Sequence, residues 1–392
     1  MTPSTSIPRP ASSTARPAKI LVRGVNWLGD TVMTMPALIR LRDAHPEVRI
    51  SVLTPHKLAE LWKLFPGIDE VLTFDEDESA WSVARRLRAG RFDVGLALPN
   101  SPRSALELWG AGIPRRIGLR GPWRAFFLTD ALAPRRDSVA MRKRTVAEVK
   151  RRIKQQELTR ETFPPTAHHL HHYLHLASAL GADPTPVEPR LIVARDEISA
   201  AQKKFSIDPG ALWLGLNAGA EYGPAKRWPL DRFAATAREL QRRTGCRWLI
   251  FGGRGDVELA SQLATSISVS RTQPNRSGRV VNLAGATGLR ELCALLKSCS
   301  VLLTNDTGPM HLAAALGVPV AVPFGSTSPE LTGPGIPGAG ERALLVSPAA
   351  CAPCFRRECP IDFRCMTGIQ IPRMVEAVLG LLPVDLRAGN DL

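Results

Sequence analysis

Two short polar loops, far apart in this 392-residue chain, each carry an aspartate at the junction of an apolar strand and a helix. The first, Asn26-Trp27-Leu28-Gly29-Asp30, follows Ile20-Leu21-Val22. The second, Asn305-Asp306-Thr307-Gly308-Pro309-Met310-His311, follows Val301-Leu302-Leu303. Open α/β sheets bind ligands beyond the carboxyl ends of their strands, so two such edges point to two sheets facing one cleft. Asp30 has two readings. A carboxylate in a helix's first turn can act as a cap, stabilising it by about 1 kcal/mol, or it can be a general base facing the cleft. Gly29, just before it, allows a substrate close to the backbone. In the second loop Pro309 suits the first helical turn, and the backbone N–H groups there form an anion site for a phosphate or diphosphate. Asp306 would repel that guest, so it is expected to hold sugar hydroxyls or cap the loop. His311 either donates to an anion or packs.

A third segment, Gly219-Ala220-Glu221-Tyr222-Gly223-Pro224-Ala225-Lys226-Arg227-Trp228-Pro229, places small residues before two cations. It reads as an anion cradle that needs no metal, and it lacks the P-loop spacing. Gly252-Gly253-Arg254-Gly255-Asp256 also follows a strand but lacks the third glycine of a dinucleotide fingerprint, which argues against hydride transfer.

Four of the seven cysteines, Cys351, Cys354, Cys359 and Cys365, are spaced C-x2-C-x4-C-x5-C. This spacing is tighter than in common zinc modules. A structural zinc site, redox-sensitive thiols and plain reduced cysteines all remain open, and a zinc here would staple a loop without taking part in catalysis. Five histidines lie between His168 and His175. His168, His171, His172 and His175 recur at spacings of three and four, which puts them near one helical face. A surface helix near the acceptor region is expected there rather than a metal site.

These residues need elements to position them. Ile20–Arg23, Arg49–Leu53, Glu70–Phe74, Asp93–Leu98 and Arg115–Gly118 read as strands, with helices at Thr31–Asp43, Leu58–Phe65 and Ser79–Ala89 between them. After the Pro-rich linker Gly181–Arg195 a second series begins. Its strands are Leu212–Leu216, Arg247–Phe251, Val280–Asn282, Val301–Thr304 and Val318–Val322. Its helices are Leu230–Arg243, Asp256–Ser266, Gly288–Lys297 and Pro309–Leu316. Such alternation gives βαβ units and parallel sheets. The expected organisation is a disordered tail over 1–18, a first domain over 19–185, a second domain over 196–370, and a C-terminal helix and tail over 371–392. That last helix, Pro372–Leu382, is expected to pack back on the first domain.

The chain is 44% hydrophobic, ordinary for a globular protein. No apolar run reaches the roughly 18 residues of a membrane span. The Pro/Ser/Thr-rich N-terminus lacks the apolar centre of a secretory signal, so a cytoplasmic location is expected. The formal charge is +15, and Ala131–Arg160 alone carries ten Lys/Arg against three Asp/Glu. A helix or mobile loop flanking the cleft is expected there, and the charge favours a polyanionic partner. Nucleic acid is a poor candidate, since no aromatics interleave a basic strand and no helix-turn-helix pattern is present.

Asn26-Trp27-Leu28-Gly29-Asp30, followed by Met35-Pro36-Ala37-Leu38, resembles the N-terminal signature of the ADP-heptose:lipopolysaccharide heptosyltransferases, glycosyltransferase family 9. The Gly219–Pro229 loop resembles the donor-phosphate loop of the II branch of that family, as does the Cys351–Pro360 segment. Asn305–His311 is similar to the family's D-T-G-x-x-H loop. The resemblance runs from about Lys19 to Leu382. It implies an α/β GT-B fold of two doubly wound Rossmann-like domains facing a central cleft, the N-terminal one (19–185) acceptor-binding and the C-terminal one (196–370) nucleotide-sugar-binding. It also implies inverting transfer of L-glycero-D-manno-heptose from ADP-heptose to the first heptose of the lipopolysaccharide inner core. It further implies Asp30 as general base and a donor site of Lys226, Glu221, Asp306, Thr307, Gly308 and His311, with Asp256 or Glu258 toward the ribose. No cofactor is implied. The implied partners are the donor, the inner-core acceptor and the cytoplasmic membrane face. Heptosyltransferase I, another family-9 transferase or a nucleotide-sugar epimerase are the rival readings. The N-terminal tail and the length of the basic segment depart from the family pattern.

Overall fold

In the computed structural model, which describes residues 18–155, 159–268 and 280–386, the two βα series close into two parallel six-stranded sheets. The first comprises β1 (Lys19–Arg23), β2 (Arg49–Pro55), β3 (Glu70–Phe74), β4 (Val94–Ala97), β5 (Arg115–Leu119) and β6 (Asp130–Leu132), in the order β3-β2-β1-β4-β5-β6. The second comprises β7 (Trp213–Asn217), β8 (Arg247–Ile250), β9 (Val280–Asn282), β10 (Leu302–Thr304), β11 (Val320–Phe324) and β12 (Arg342–Val346), in the order β12-β11-β10-β7-β8-β9. The central strands are buried along nearly their whole length and apolar between their ends, because helices cover both sheet faces, so no alternation survives in them.

Strand order reverses between β1 and β4 and again between β7 and β10. In doubly wound sheets, ligands bind just outside the strand ends at that reversal. The Asn26–Asp30 loop leaves β1, the Gly219–Lys226 loop leaves β7 and the Asn305–Gly308 loop leaves β10. The topology therefore delivers all three chemically marked loops to the two switch points. One buried apolar cluster runs from Ile20 and Ile50 through Leu38 and Leu191 to Leu312 and Val320, so the domains share packing.

Four elements escaped the sequence reading. The edge strand β6 is three residues long, and β12 follows a Gly/Pro-rich run that looks like loop. The helix Pro102–Gly110 did carry a signal: Ser101 at the N-cap, its hydroxyl accepting from the Ser104 N–H, and Pro102 in the first turn. The helix Arg195–Lys204 begins at the last residue of the expected linker and packs on the helix Leu289–Leu296.

Two expectations are corrected. The C-terminal helix Ile371–Leu381 packs on the helix Leu230–Thr244 and on β11 and β12, in its own domain rather than across to the first. The histidine helix, Leu170–Ser178, is not a surface helix: it buries Leu170, Tyr173, Leu174, Leu176 and Ala177 and packs on the helix Leu28–Ala44. The basic segment, read from the sequence as a helix or mobile loop flanking the cleft, does contain a helix. It begins in β6, forms the helix Val146–Lys154 with a Thr145/Glu148 capping box, and docks on the second domain. There Arg144 donates to the Cys351 carbonyl at 2.9 Å, Arg152 to Ala350 at 2.8 Å and Arg160 to Thr327 at 3.1 Å. The tail expected over 1–18 and the last residues, 387–392, lie outside the described residues, apart from Ala18. No helix among the described residues is long and apolar enough to cross a membrane.

The end of β1 is fixed by a buried ion pair. Arg23 Nε lies 2.8 Å from Glu107 Oε2, and Arg23 Nη1 donates to Asn26 Oδ1 at 3.0 Å, holding the first loop. Arg103 pairs with the other Glu107 oxygen at 2.7 Å. Removing one member of a buried pair leaves an uncompensated charge. Glu107→Ala should therefore cost about 3–5 kcal/mol in denaturant unfolding, and a cost below about 1 kcal/mol would show that Arg23 finds solvent instead.

Candidate active site

The helix Leu28–Ala44 begins with Trp27 at its N-cap position and has no side-chain cap. Asp30 sits in the first turn and caps nothing, so the capping alternative for this residue falls away. It is half-buried. Burial pushes its carboxyl up to about 6, against the opposing pull of Lys226 and with a smaller push from Asp306. Two charged groups from the second domain thus act on an aspartate of the first. Tyr173 is buried close by, its phenol held well above its ordinary value by burial and then by the Asp30 charge. His169 Nε2 lies 3.2 Å from the Tyr173 hydroxyl.

Across the cleft, the helix Gly308–Ala315 has Thr307 at its N-cap position with no side-chain cap bond. Of its first three positions, Pro309 has no N–H and the Met310 N–H donates to the Thr307 carbonyl at 3.1 Å, which leaves the Gly308 N–H for solvent or ligand. The loop before it is held from several sides. Asn305 Oδ1 accepts from the Trp228 N–H at 3.0 Å, Asn305 Nδ2 donates to the Ala218 carbonyl at 2.7 Å, and Asn217 Nδ2 donates to the Thr307 hydroxyl at 3.1 Å. Lys226 Nζ lies 2.7 Å from Asp306 Oδ2, and the Thr327 hydroxyl donates to the same oxygen at 2.6 Å. The pairing resolves the electrostatic objection to Asp306 beside a phosphate, because Lys226 cancels its charge.

The two loops touch. A Cβ on Gly29 would lie 2.7 Å from His311 Cδ2, and one on Gly308 would lie 2.7 Å from Leu28 Cδ2. These approaches are too close for any residue but glycine. His311 is buried, which pushes its imidazole down to about 4, and its Nδ1 has no partner among the described residues. It is neutral at pH 7, so it packs against Gly29 with one ring nitrogen left for a hydrogen bond. Gly29→Ala should cost about 1–3 kcal/mol by overpacking and lower activity by separating the loops. Unchanged melting temperature and activity would mean the helices slide apart freely.

Of the predicted residues, Asp30, Lys226, Asp306, Thr307, Gly308 and His311 are brought together. Glu221 is not: it is exposed at the rim and makes no hydrogen bond or ion pair among the described residues. Asp256 lies against Gly219 and accepts from the Gly253 N–H at 3.0 Å, whereas Glu258 is exposed on the next helix. Sequence reasoning missed Thr327, Tyr173 and Arg160. None sits in a marked loop, and only the packing of distant segments brings them in.

Among the described residues no three His, Cys, Asp or Glu side chains gather as a group that could hold a metal ion. The histidines disperse. His168 Nε2 donates to the Gly333 carbonyl at 3.0 Å and His175 Nε2 to Ala133 at 3.0 Å, while His172 Nε2 faces Asn100 at 3.5 Å. Burial pushes His168 and His172 down to about 3. Cys351, Cys354 and Cys365 are buried free thiols and Cys359 is half-buried. Burial and then the neighbouring cysteines push Cys365 up to about 12, so its thiol is protonated at neutral pH.

The chain is similar to proteins of one known family. The model of glycosyltransferase family 9 (heptosyltransferase) matches residues 80–363. The lipopolysaccharide heptosyltransferase 2 of Escherichia coli K12 is 30% identical over 329 residues, covering 81% of this chain and 85% of that protein. The lipooligosaccharide heptosyltransferase 2 of Haemophilus influenzae is 29% identical over 80% of this chain and 85% of its own length. Among solved structures, that of the E. coli ADP-heptose lps heptosyltransferase II superposes with a TM-score of 0.71 at 27% identity, covering 93% of this chain and 98% of the other. The GT-B expectation is met.

Proposed function

This chain belongs to glycosyltransferase family 9, and we propose that it transfers L-glycero-D-manno-heptose from ADP-heptose to the first heptose of a lipopolysaccharide inner core, with inversion. One observation carries the reading. A desolvated carboxylate of the first domain, Asp30, faces a cation and an open helix N-terminus of the second, with the loops in contact.

The chemistry follows from that geometry. Asp30, its carboxyl near 6, is ionised at neutral pH yet basic enough to take the acceptor hydroxyl proton as the glycosidic bond forms. The bond from the sugar carbon to the diphosphate oxygen breaks in the same step, and negative charge grows on ADP. Lys226 and the Gly308 N–H stand where preorganised donors stabilise that charge. Asp306, fixed by Lys226 and Thr327, presents its remaining oxygen to heptose hydroxyls. His311 donates or accepts as a neutral ring. The acceptor's lipid places the enzyme at the cytoplasmic face of a membrane.

The II-type acceptor is favoured because the named relatives at about 30% identity are heptosyltransferases 2. Purified protein should add one heptose, read as a mass increase, to truncated lipopolysaccharide that already bears a single heptose. Transfer only to an acceptor lacking heptose would reassign it as a heptosyltransferase I. Donor consumption with neither acceptor modified would favour a donor-only activity such as epimerisation.

A further inference from the structure

The loop between β5 and β6 has the composition of a lipid-facing element. Residues 115–127 contain Arg115, Arg116, Arg120 and Arg124 and no acidic residue, and they end in Trp123-Arg124-Ala125-Phe126-Phe127. Trp123 is 87% exposed and Phe126 81%. Trp123 holds φ at +62°, a left-handed conformation that is costly for a bulky side chain, at the tip of the turn. The loop is nonetheless firmly anchored. The buried Arg124 guanidinium donates to Asn100 Oδ1 at 2.9 Å, Arg116 Nε donates to the Phe127 carbonyl at 2.7 Å, and the Arg120 N–H bonds the Leu132 carbonyl. The exposed rings are therefore displayed from a fixed base.

The apolar surface continues sideways. Phe126 meets Phe127 at 5.4 Å between ring centroids, Phe127 meets Trp109 at 5.6 Å, and Trp109 meets Trp81 at 6.0 Å. Trp81 is 54% exposed and Trp109 41%. Exposed cations border this strip at Arg85 and Arg120, while the carboxylates Glu78 and Asp130 are already paired with Arg86 and Arg115.

We propose that this aromatic strip, with Trp123 and Phe126 at its tip and Arg85 and Arg120 beside it, seats the protein on a bilayer containing anionic phospholipid. Amphipathic rings settle at the headgroup level, and binding of such surfaces grows with buried apolar area and with cationic attraction to anionic lipid. The charge pattern argues for a membrane over a protein partner, since cations flank the rings and Glu78 and Asp130 are paired with arginines. Placement agrees as well. The loop follows β5, on the same carboxyl edge of the first sheet as Asp30, and Arg124 joins it through Asn100 to His172 near that edge. A lipid-anchored acceptor could then rest in the bilayer while its sugars reach the cleft. The basic segment is the less suited surface, because residues 131–160 contain no aromatic ring to enter the headgroup region, and Arg144, Arg152 and Arg160 donate to carbonyls of the second domain.

The inference rests on the acceptor being lipid-anchored, and its test reads binding and transfer separately. Full-length protein is sedimented with phosphatidylcholine vesicles with and without phosphatidylglycerol, alongside Trp123→Ser/Phe126→Ser and Arg120→Glu. The wild type should sediment with the anionic vesicles, and the aromatic double variant should bind about tenfold more weakly. Arg120→Glu should lose most of the preference for anionic lipid. All variants should keep wild-type transfer to a soluble, delipidated acceptor, which excludes misfolding. Vesicle binding unchanged in the double variant would overturn the proposal. So would self-association lost in that variant with vesicle binding intact, which would assign the strip to a second copy of the chain. If the wild type binds vesicles but transfers nothing to any acceptor, the functional reading fails while the membrane surface stands.

Discussion

Asp30→Asn should slow heptose transfer by about 10²–10⁴-fold, the usual worth of a positioned general base, while donor affinity stays near wild type. Asparagine keeps the shape of the side chain and cannot accept the proton. In the wild type, kcat/KM should fall about tenfold per pH unit below about pH 6, where the Asp30 carboxyl takes up its own proton. The asparagine variant should lose that acid limb. Stability should move the other way. The folded carboxyl is raised above its ordinary value, so between those two values the native state binds more protons than the unfolded chain, and stability falls as pH rises. At pH 7 the ionised, desolvated Asp30 is a liability, and Asp30→Asn should melt at or above the wild-type temperature. A variant that is inactive and also less stable would return Asp30 to a structural role.

Lys226→Met should combine two losses. Removing a preorganised donor to the leaving group costs about 10²–10³-fold in kcat. It also leaves the buried Asp306 carboxylate with only the Thr327 hydroxyl, where it now has Lys226 at 2.7 Å. Breaking a buried pair costs about 3–5 kcal/mol, so the variant should unfold at lower denaturant. Lys226→Met/Asp306→Asn separates the two effects, because stability should return while activity does not. A third signature is specific to this cleft. Lys226 pulls the Asp30 carboxyl down, so its removal should shift the acid limb of the pH profile upward. An unshifted limb would mean that the two groups are farther apart in the working enzyme. Calorimetric titration with ADP gives the binding arm, and weakened affinity is expected.

Much of this architecture was legible because parallel sheets write themselves plainly. Buried central strands such as Ile20-Leu21-Val22 and Leu302-Leu303 have apolar runs bounded by polar loops, and those loops are the switch-point ligand loops. The unread parts are of three kinds. Edge strands β6 and β12 are short or half-buried, so their pattern is weak. The histidine helix shows the right period, yet its burial is decided by the helix Leu28–Ala44 packing over it, which no local pattern records. The charge of the basic segment was visible, but not its destination, since Arg144 and Arg152 reach partners some two hundred residues away. The site follows the same logic. Asp30, Lys226 and Asp306 stand in marked loops, but the Lys226–Asp306 pair and the Thr327 bond come from tertiary packing. Glu221 shares a marked loop and still faces solvent.

The central claim is a single displacement assisted by one carboxylate. Asp306 is held by Lys226 and Thr327, which leaves Asp30 as the carboxylate free to act on the acceptor. The most direct measurement is the anomeric configuration of the newly added heptose, read by NMR on product made from ADP-heptose and a single-heptose acceptor. The account predicts a configuration opposite to that of the donor. Retention would require two displacements through a covalent or trapped intermediate, and it would contradict the assignment of Asp30 as a base acting once.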